Sequence, residues 1–278
     1  MLLHQSNPNT LTAAVCCFIK VTALVETRET AGLRNLAQET ILDLPVAEGL
    51  TLGDRLSDLG LQATVQTSPD YVEAMFQGTA DQLPELLRAV RVVLSNAKPA
   101  ARQINLRRAE VLRQLEERRE LPLPVARDRA QSHLYRDTPC SWPTTGTPTV
   151  ASITADRLLA LRQMRYAPNR TVVSVSGNIS WEQCRQQARE ALGDLLPVSV
   201  PVEPPPPPPA PARTALLYEP WRGDNAVVLL AAPSPSPDRI EFAAATVAHA
   251  VLGSGEGSRL FRALRDRLGL TYSIASDV

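Results

Sequence analysis

Few residues in this chain have the type and spacing for chemistry. Its histidines, His4, His133 and His249, stand far apart and show no ligand spacing. The cysteines Cys16, Cys17, Cys140 and Cys184 are scattered as well, and read as free thiols of a reducing compartment. Glu39 and Glu110 fall in two separate helical segments, and two carboxylates from separate helices do not make a zinc site. The glycine-rich stretch Gly253, Gly255, Gly257, followed by Ser258, suggests a phosphate cradle before a helix. It lacks the Lys-Ser/Thr ending of a nucleotide loop, so it reads as a hinge or substrate-facing loop where glycine lets backbone approach closely. Arg265 then falls on the last turn of a helix closed by Gly269, and Tyr272 on the next strand. By residue type alone these two are a solvated helix arginine and an ordinary strand aromatic.

The elements that must position these residues draw on ample core material. The chain has 278 residues, 44% of them hydrophobic but only 4% aromatic, so the core is mainly Leu, Val, Ile and Ala. Formal net charge is zero, with 29 basic and 29 acidic side chains, which argues against nucleic acid as a main partner. No apolar run reaches the roughly 18 residues of a membrane span. The first residues lack the basic-then-apolar layout of a secretion signal, and a cytoplasmic location is expected.

Residues 13–24 form an apolar, β-branched run expected to be a buried strand. Residues 31–44 carry Leu33, Leu36, Ala37, Ile41 and Leu44 at spacings of three and four, one apolar helical face. A short helix at 52–59, two strands at 62–66 and 71–76, and helices at 81–94 and 100–119 follow. A loop at 137–149, a helix at 154–164, a strand at 170–176 and a helix at 181–192 complete a first domain, 1–197. Residues 198–213, with six consecutive prolines from Pro204 to Pro209, predict an extended linker. Beyond it, 214–278 restarts the pattern: strand 225–231, helix 237–252, helix 258–268, strand 270–275. The expected fold is α+β: duplicated α/β sandwich domains, each a mostly antiparallel sheet flanked by helices, the second incomplete in this chain.

Several blocks together give the chain a resemblance to the pitrilysin/insulinase family of inverted-zinc metallopeptidases, above all its two-subunit branch. They are Glu26-Thr27-Arg28-Glu29-Thr30-Ala31-Gly32-Leu33 after the first strand, Tyr135-Arg136-Asp137-Thr138-Pro139, Thr145-Gly146-Thr147, and Tyr166-Ala167-Pro168-Asn169-Arg170. The most specific is Leu252-Gly253-Ser254-Gly255-Glu256-Gly257-Ser258-Arg259-Leu260-Phe261, continuing to Arg265, Gly269 and Tyr272. Such enzymes carry H-x-x-E-H on one helix, two imidazoles binding zinc and a carboxylate as general base, with a ligand Glu about 75 residues on. The resemblance sets Asn35, Gln38 and Glu39 at the motif positions and Gln114 at the ligand Glu. Both imidazoles are gone, the base has become an amide, and a neutral amide is a poor zinc ligand. The expectation is therefore that this chain binds no metal or other cofactor, and that zinc sits on an active partner.

The resemblance also gives Arg265 and Tyr272 roles in trans. The tyrosine hydroxyl would bond the scissile carbonyl oxygen, and the arginine would anchor substrate. The function expected is a non-catalytic subunit of a heterodimeric zinc metalloendopeptidase, with no peptidase activity of its own. Its partners would be a homologous subunit with intact H-x-x-E-H and peptide substrates, held partly by strand addition to a sheet edge. A homodimer is possible for the isolated chain. The alternative is a structural protomer like the respiratory core proteins, or a peptide-binding protein without proteolytic role.

Overall fold

In a computed structural model, the described residues are 1–136, 138–143, 146–199, 214–223 and 225–277. They form two units, Met1–Leu229 and Leu230–Val278. The linker expected at 198–213 lies, from residue 200 on, outside the described residues.

Alternation builds the sheet of the first unit. In β2 (Thr12–Ile19), Ala13, Val15, Cys17 and Ile19 are buried while the residues between them are exposed or half-buried. In β6 (Val72–Thr79), Val72, Ala74 and Phe76 play the same part, as do Val173 and Val175 in β7 (Thr171–Gly177). A period of two sets one face on the core and leaves the other facing outward. With β1 (Leu2–Ser6) and β5 (Gln62–Thr67) the sheet runs β1-β7-β2-β6-β5, antiparallel except for the β1–β7 pair. Val15 stands opposite Phe76 on one side and Val175 on the other, so the core lies under the sheet's middle. A small hairpin, β3 (Pro45–Ala47) and β4 (Leu50–Thr51), leads into α2 (Leu52–Asp58). Thr51 and Asp54 cap α2 reciprocally, Asp54 N–H donating to Thr51 Oγ1 and Thr51 N–H to Asp54 Oδ2.

The buried face is covered by helices. α3 (Leu83–Leu94) lays Leu83, Leu86, Leu87, Val90, Val93 and Leu94 against β2, β6 and α7 (Trp181–Leu192). α4 (Ala101–Arg119) buries only a narrow stripe, Ile104, Val111 and Leu115, and α5 (Pro122–Leu134) buries nothing fully. α6 (Ala155–Arg165) packs on α1 (Leu33–Glu39), which is shorter than the helix expected over 31–44. Gly32, at φ +95, precedes α1, and Gly146, at φ +98, lies so close that a Cβ would run into the Gly32 Cα. The first unit is thus a mostly antiparallel sheet flanked by helices, as the sequence predicts.

The second unit holds α8 (Ile240–Gly253) and a helical run that winds as a π-helix over Phe261–Arg267. The strands expected at 225–231 and 270–275 do not form. An aliphatic run becomes a strand only when a neighbour takes its main-chain hydrogen bonds, and no such neighbour occurs among the described residues.

Candidate functional site

The site candidate in the first unit lies between α1 and α4. Spacings of three and four put Arg107, Glu110 and Gln114 on one face of α4, and α1 packs against that helix. On α1, Asn35 and Gln38 are buried and Glu39 half-buried. The Gln38 amide is engaged at both ends: Nε2 donates to the Val65 carbonyl at 3.1 Å, and Oε1 accepts from Thr67 Oγ1 at 3.1 Å. Gln114 Nε2 donates to Glu110 Oε1 at 3.1 Å. Arg113 also holds Glu110, Nη2 to Oε1 at 2.6 Å, and keeps that carboxyl below the usual range. Burial pushes the Glu39 carboxyl up, with Arg107 opposing and Glu110 adding to the rise.

These groups do not fit a zinc ion. Zinc takes thiolate, imidazole or carboxylate, whereas Asn35, Gln38, Glu39 and Gln114 offer three amides and one carboxylate. Among the described residues no group of three or more His, Cys, Asp or Glu could hold a metal. The three histidines stand on β1, α5 and α8; His4 Nε2 bonds the Ile179 carbonyl, and His249 pairs with the Ser276 hydroxyl. The four cysteines are free, and burial together with a bond to Glu73 pushes the Cys16 thiol up to about 12.

In the second unit, Gly253 is buried, and a Cβ there would collide with the Ser276 side chain. Gly255 has φ +76 and, like Gly257, faces open space. Ser258 is buried, and its Oγ accepts from Phe261 N–H at 3.4 Å, at the head of the next helix. Arg265 is exposed, its guanidinium 4.7 Å from the Phe261 ring centroid, and its carbonyl accepts from Gly269 N–H. Tyr272 is 93% exposed.

A family model described as "Peptidase M16 inactive domain" matches residues 152–278. An uncharacterized zinc protease of Mycobacterium leprae is 30% identical over 187 residues, 66% of this chain and 42% of that protein. The crystal structure of a protease from Helicobacter pylori superposes with a TM-score of 0.79 at 16% identity, covering 95% of this chain and 66% of that one. The peptidase M16 inactive domain from Pseudomonas fluorescens gives 0.76 at 17% identity, covering 98% and 66%. The chain belongs to the pitrilysin/insulinase, or M16, peptidase family. It spans less than two thirds of the length of each of these three proteins.

The residue types of Asn35, Gln38, Glu39 and Gln114 were legible in the sequence; what those residues bond to was not. Arg107 joins the site by gripping Asp43, just past α1. Arg34, one turn before Gln38, is fully buried and donates through Nη2 to the Ser68 carbonyl. An arginine at an otherwise buried helical position is the signal that marks it.

Proposed function

We propose that this chain is a non-catalytic protomer of an M16-type zinc endopeptidase assembly, working beside a homologous subunit that keeps H-x-x-E-H. The reading is supported by one observation above the others. Where an active protomer needs basic and ligating side chains, this one has the amides of Gln38 and Gln114, both already bonded within the protein. Under this reading the partner supplies zinc and general base, and this chain binds no metal. Arg265 anchors substrate backbone or carboxylate by forked hydrogen bonds, and the Tyr272 hydroxyl donates to the developing oxyanion. The high exposure of Tyr272 leaves its hydroxyl open to a peptide or a partner surface. Substrates are extended peptides or presequences, and the place of action is the cytoplasm.

Co-expression with an H-x-x-E-H homologue tests this. Peptide cleavage is expected only in the mixture, with zinc in the partner alone. Tyr272→Phe is expected to lower kcat by about 10- to 1,000-fold while the two chains still co-elute. Cleavage by the isolated chain would overturn the reading. Unchanged turnover in Tyr272→Phe would leave a structural protomer without a proteolytic part.

A further inference from the structure

β5 is an edge strand, paired on one side only, with β6. Ser68 N–H donates to the Tyr71 carbonyl at 2.9 Å, and residues then face each other in register back to Gln62 opposite Gln77. In an antiparallel ladder hydrogen-bonded pairs alternate with non-bonded ones, so the main-chain groups of Ala63, Val65 and Thr67 point away from β6. A row of outward N–H and C=O groups is a template on which an extended peptide can add a strand.

α1 reaches that row at its centre. Gln38 Nε2 takes the Val65 carbonyl, the central acceptor of the edge, and Thr67 Oγ1 holds the other end of the same amide. The bond to a carbonyl fixes which end of the amide is the donor, since an amide oxygen turned to Val65 would meet another acceptor. Arg34 lies one turn earlier on the same face of α1 and takes the Ser68 carbonyl, just beyond the strand. Gln38 is 8% exposed and Arg34 2%, so neither tie is a mobile surface contact. A strand pairing at Val65 exchanges two N–H···O bonds with it, and one of these is already spent on Gln38.

We infer that α1 keeps the β5 edge shut against extended peptides, with Gln38 as the residue that closes it. A peptide strand pairs with Val65 only when the Gln38 amide leaves its carbonyl. This extends the peptide-handling reading above: in the assembly, strand addition then falls to another edge. It can fail separately from that reading, because its test needs no partner and no turnover.

The test is fluorescence anisotropy on the isolated chain, with a fluorescein-labelled peptide of alternating Ser and Val and the same peptide N-methylated at alternate residues. Wild type is expected to bind weakly. Gln38→Ala is expected to bind the unmethylated peptide at least about tenfold more tightly, and N-methylation is expected to remove the gain. Gln38→Glu keeps the shape but cannot donate to the Val65 carbonyl; it is expected to move the same way, and it stands in should the alanine variant fail to fold. Equal affinity of wild type and folded variants overturns the inference, as does a gain that survives N-methylation. Loss of cleavage in the mixed assembly, with the Gln38 effect intact, would count against the partner reading alone.

Discussion

Arg107 holds Asp43 by two parallel hydrogen bonds, Nε to Oδ2 at 2.6 Å and Nη2 to Oδ1 at 2.9 Å. The pair ties α4 to the chain just after α1 and lies within reach of Glu39 and Glu110, whose charges also act on the guanidinium. Asp43 is largely covered and Arg107 partly so, which puts the pair above the ordinary surface ion pair. Asp43→Ala is expected to cost about 1–3 kcal/mol in urea unfolding. Arg107→Lys is expected to lose part of that, because an ammonium cannot reproduce the two-pronged grip. A midpoint unchanged in both variants would show that the pair is idle.

The same cluster sets a pH dependence at Glu39. Burial raises its folded pKa above the unfolded value, so the native state binds the proton more tightly. Its contribution is therefore most favourable at low pH and is lost as pH rises through the folded pKa. At neutral pH the charged carboxylate is a cost that an amide would not carry. Glu39→Gln is expected to raise Tm at about pH 7.5 and to leave it nearly unchanged at about pH 4. Equal shifts at both values would assign the effect to packing rather than to charge.

Metal removal makes a third test. A structural zinc stabilises the fold that binds it, so chelation lowers Tm wherever such a site exists. Here Gln38 is bonded to β5, Gln114 to Glu110 within α4, and Arg107 to Asp43 just past α1, so these polar groups are already engaged within the protein. Dialysis against a chelator is expected to leave Tm unmoved, and added zinc to bring no saturable rise. A chelator-sensitive Tm would mean that the folded chain holds a metal ion.

Periodicity made most of the first unit legible, because burial on one face leaves its mark in β2, β6, β7 and α3. Where the chain reads wrongly, each departure has its own physical cause. The apolar spacing through Ile41 and Leu44 continues past α1, but Thr40 Oγ1 bonds back to the Ala37 carbonyl and the chain turns off into β3. α5 escapes notice because Pro122 and Pro124 look like breakers, yet both sit in its first turn, where a missing N–H costs nothing. β1 is short and poorly alternating, and it gains its place only by pairing with β7, far along the sequence. At the site, the amide types of Asn35, Gln38 and Gln114 can be read from the sequence alone. The bonds of Gln38 to β5 cannot, since they join residues 27 and 29 positions apart through tertiary packing.

Arg162 offers the last test. It is 3% exposed, and its Nη2 donates to the Val93 carbonyl at 3.0 Å, one of the final carbonyls of α3 that the helix itself cannot pair. Its guanidinium lies 4.6 Å from the Tyr166 ring centroid. Nε and Nη1 are buried with no hydrogen-bond partner among the described residues, and the Tyr166 hydroxyl is in the same position. Burial accordingly pulls the Arg162 pKa down, with Tyr166 opposing. One charge-assisted bond contributes about 1.5–3 kcal/mol. Holding a cation out of water costs several kcal/mol. Arg162→Met keeps the length and apolar bulk of the side chain while removing the charge, and is expected to raise unfolding stability by about 1–3 kcal/mol. Arg162→Lys keeps a charge there but loses the fork, and is expected to lower it. Urea midpoints for the two variants should therefore move in opposite directions. A fall in both would mean that the bond to Val93 and the contact with Tyr166 outweigh the buried charge.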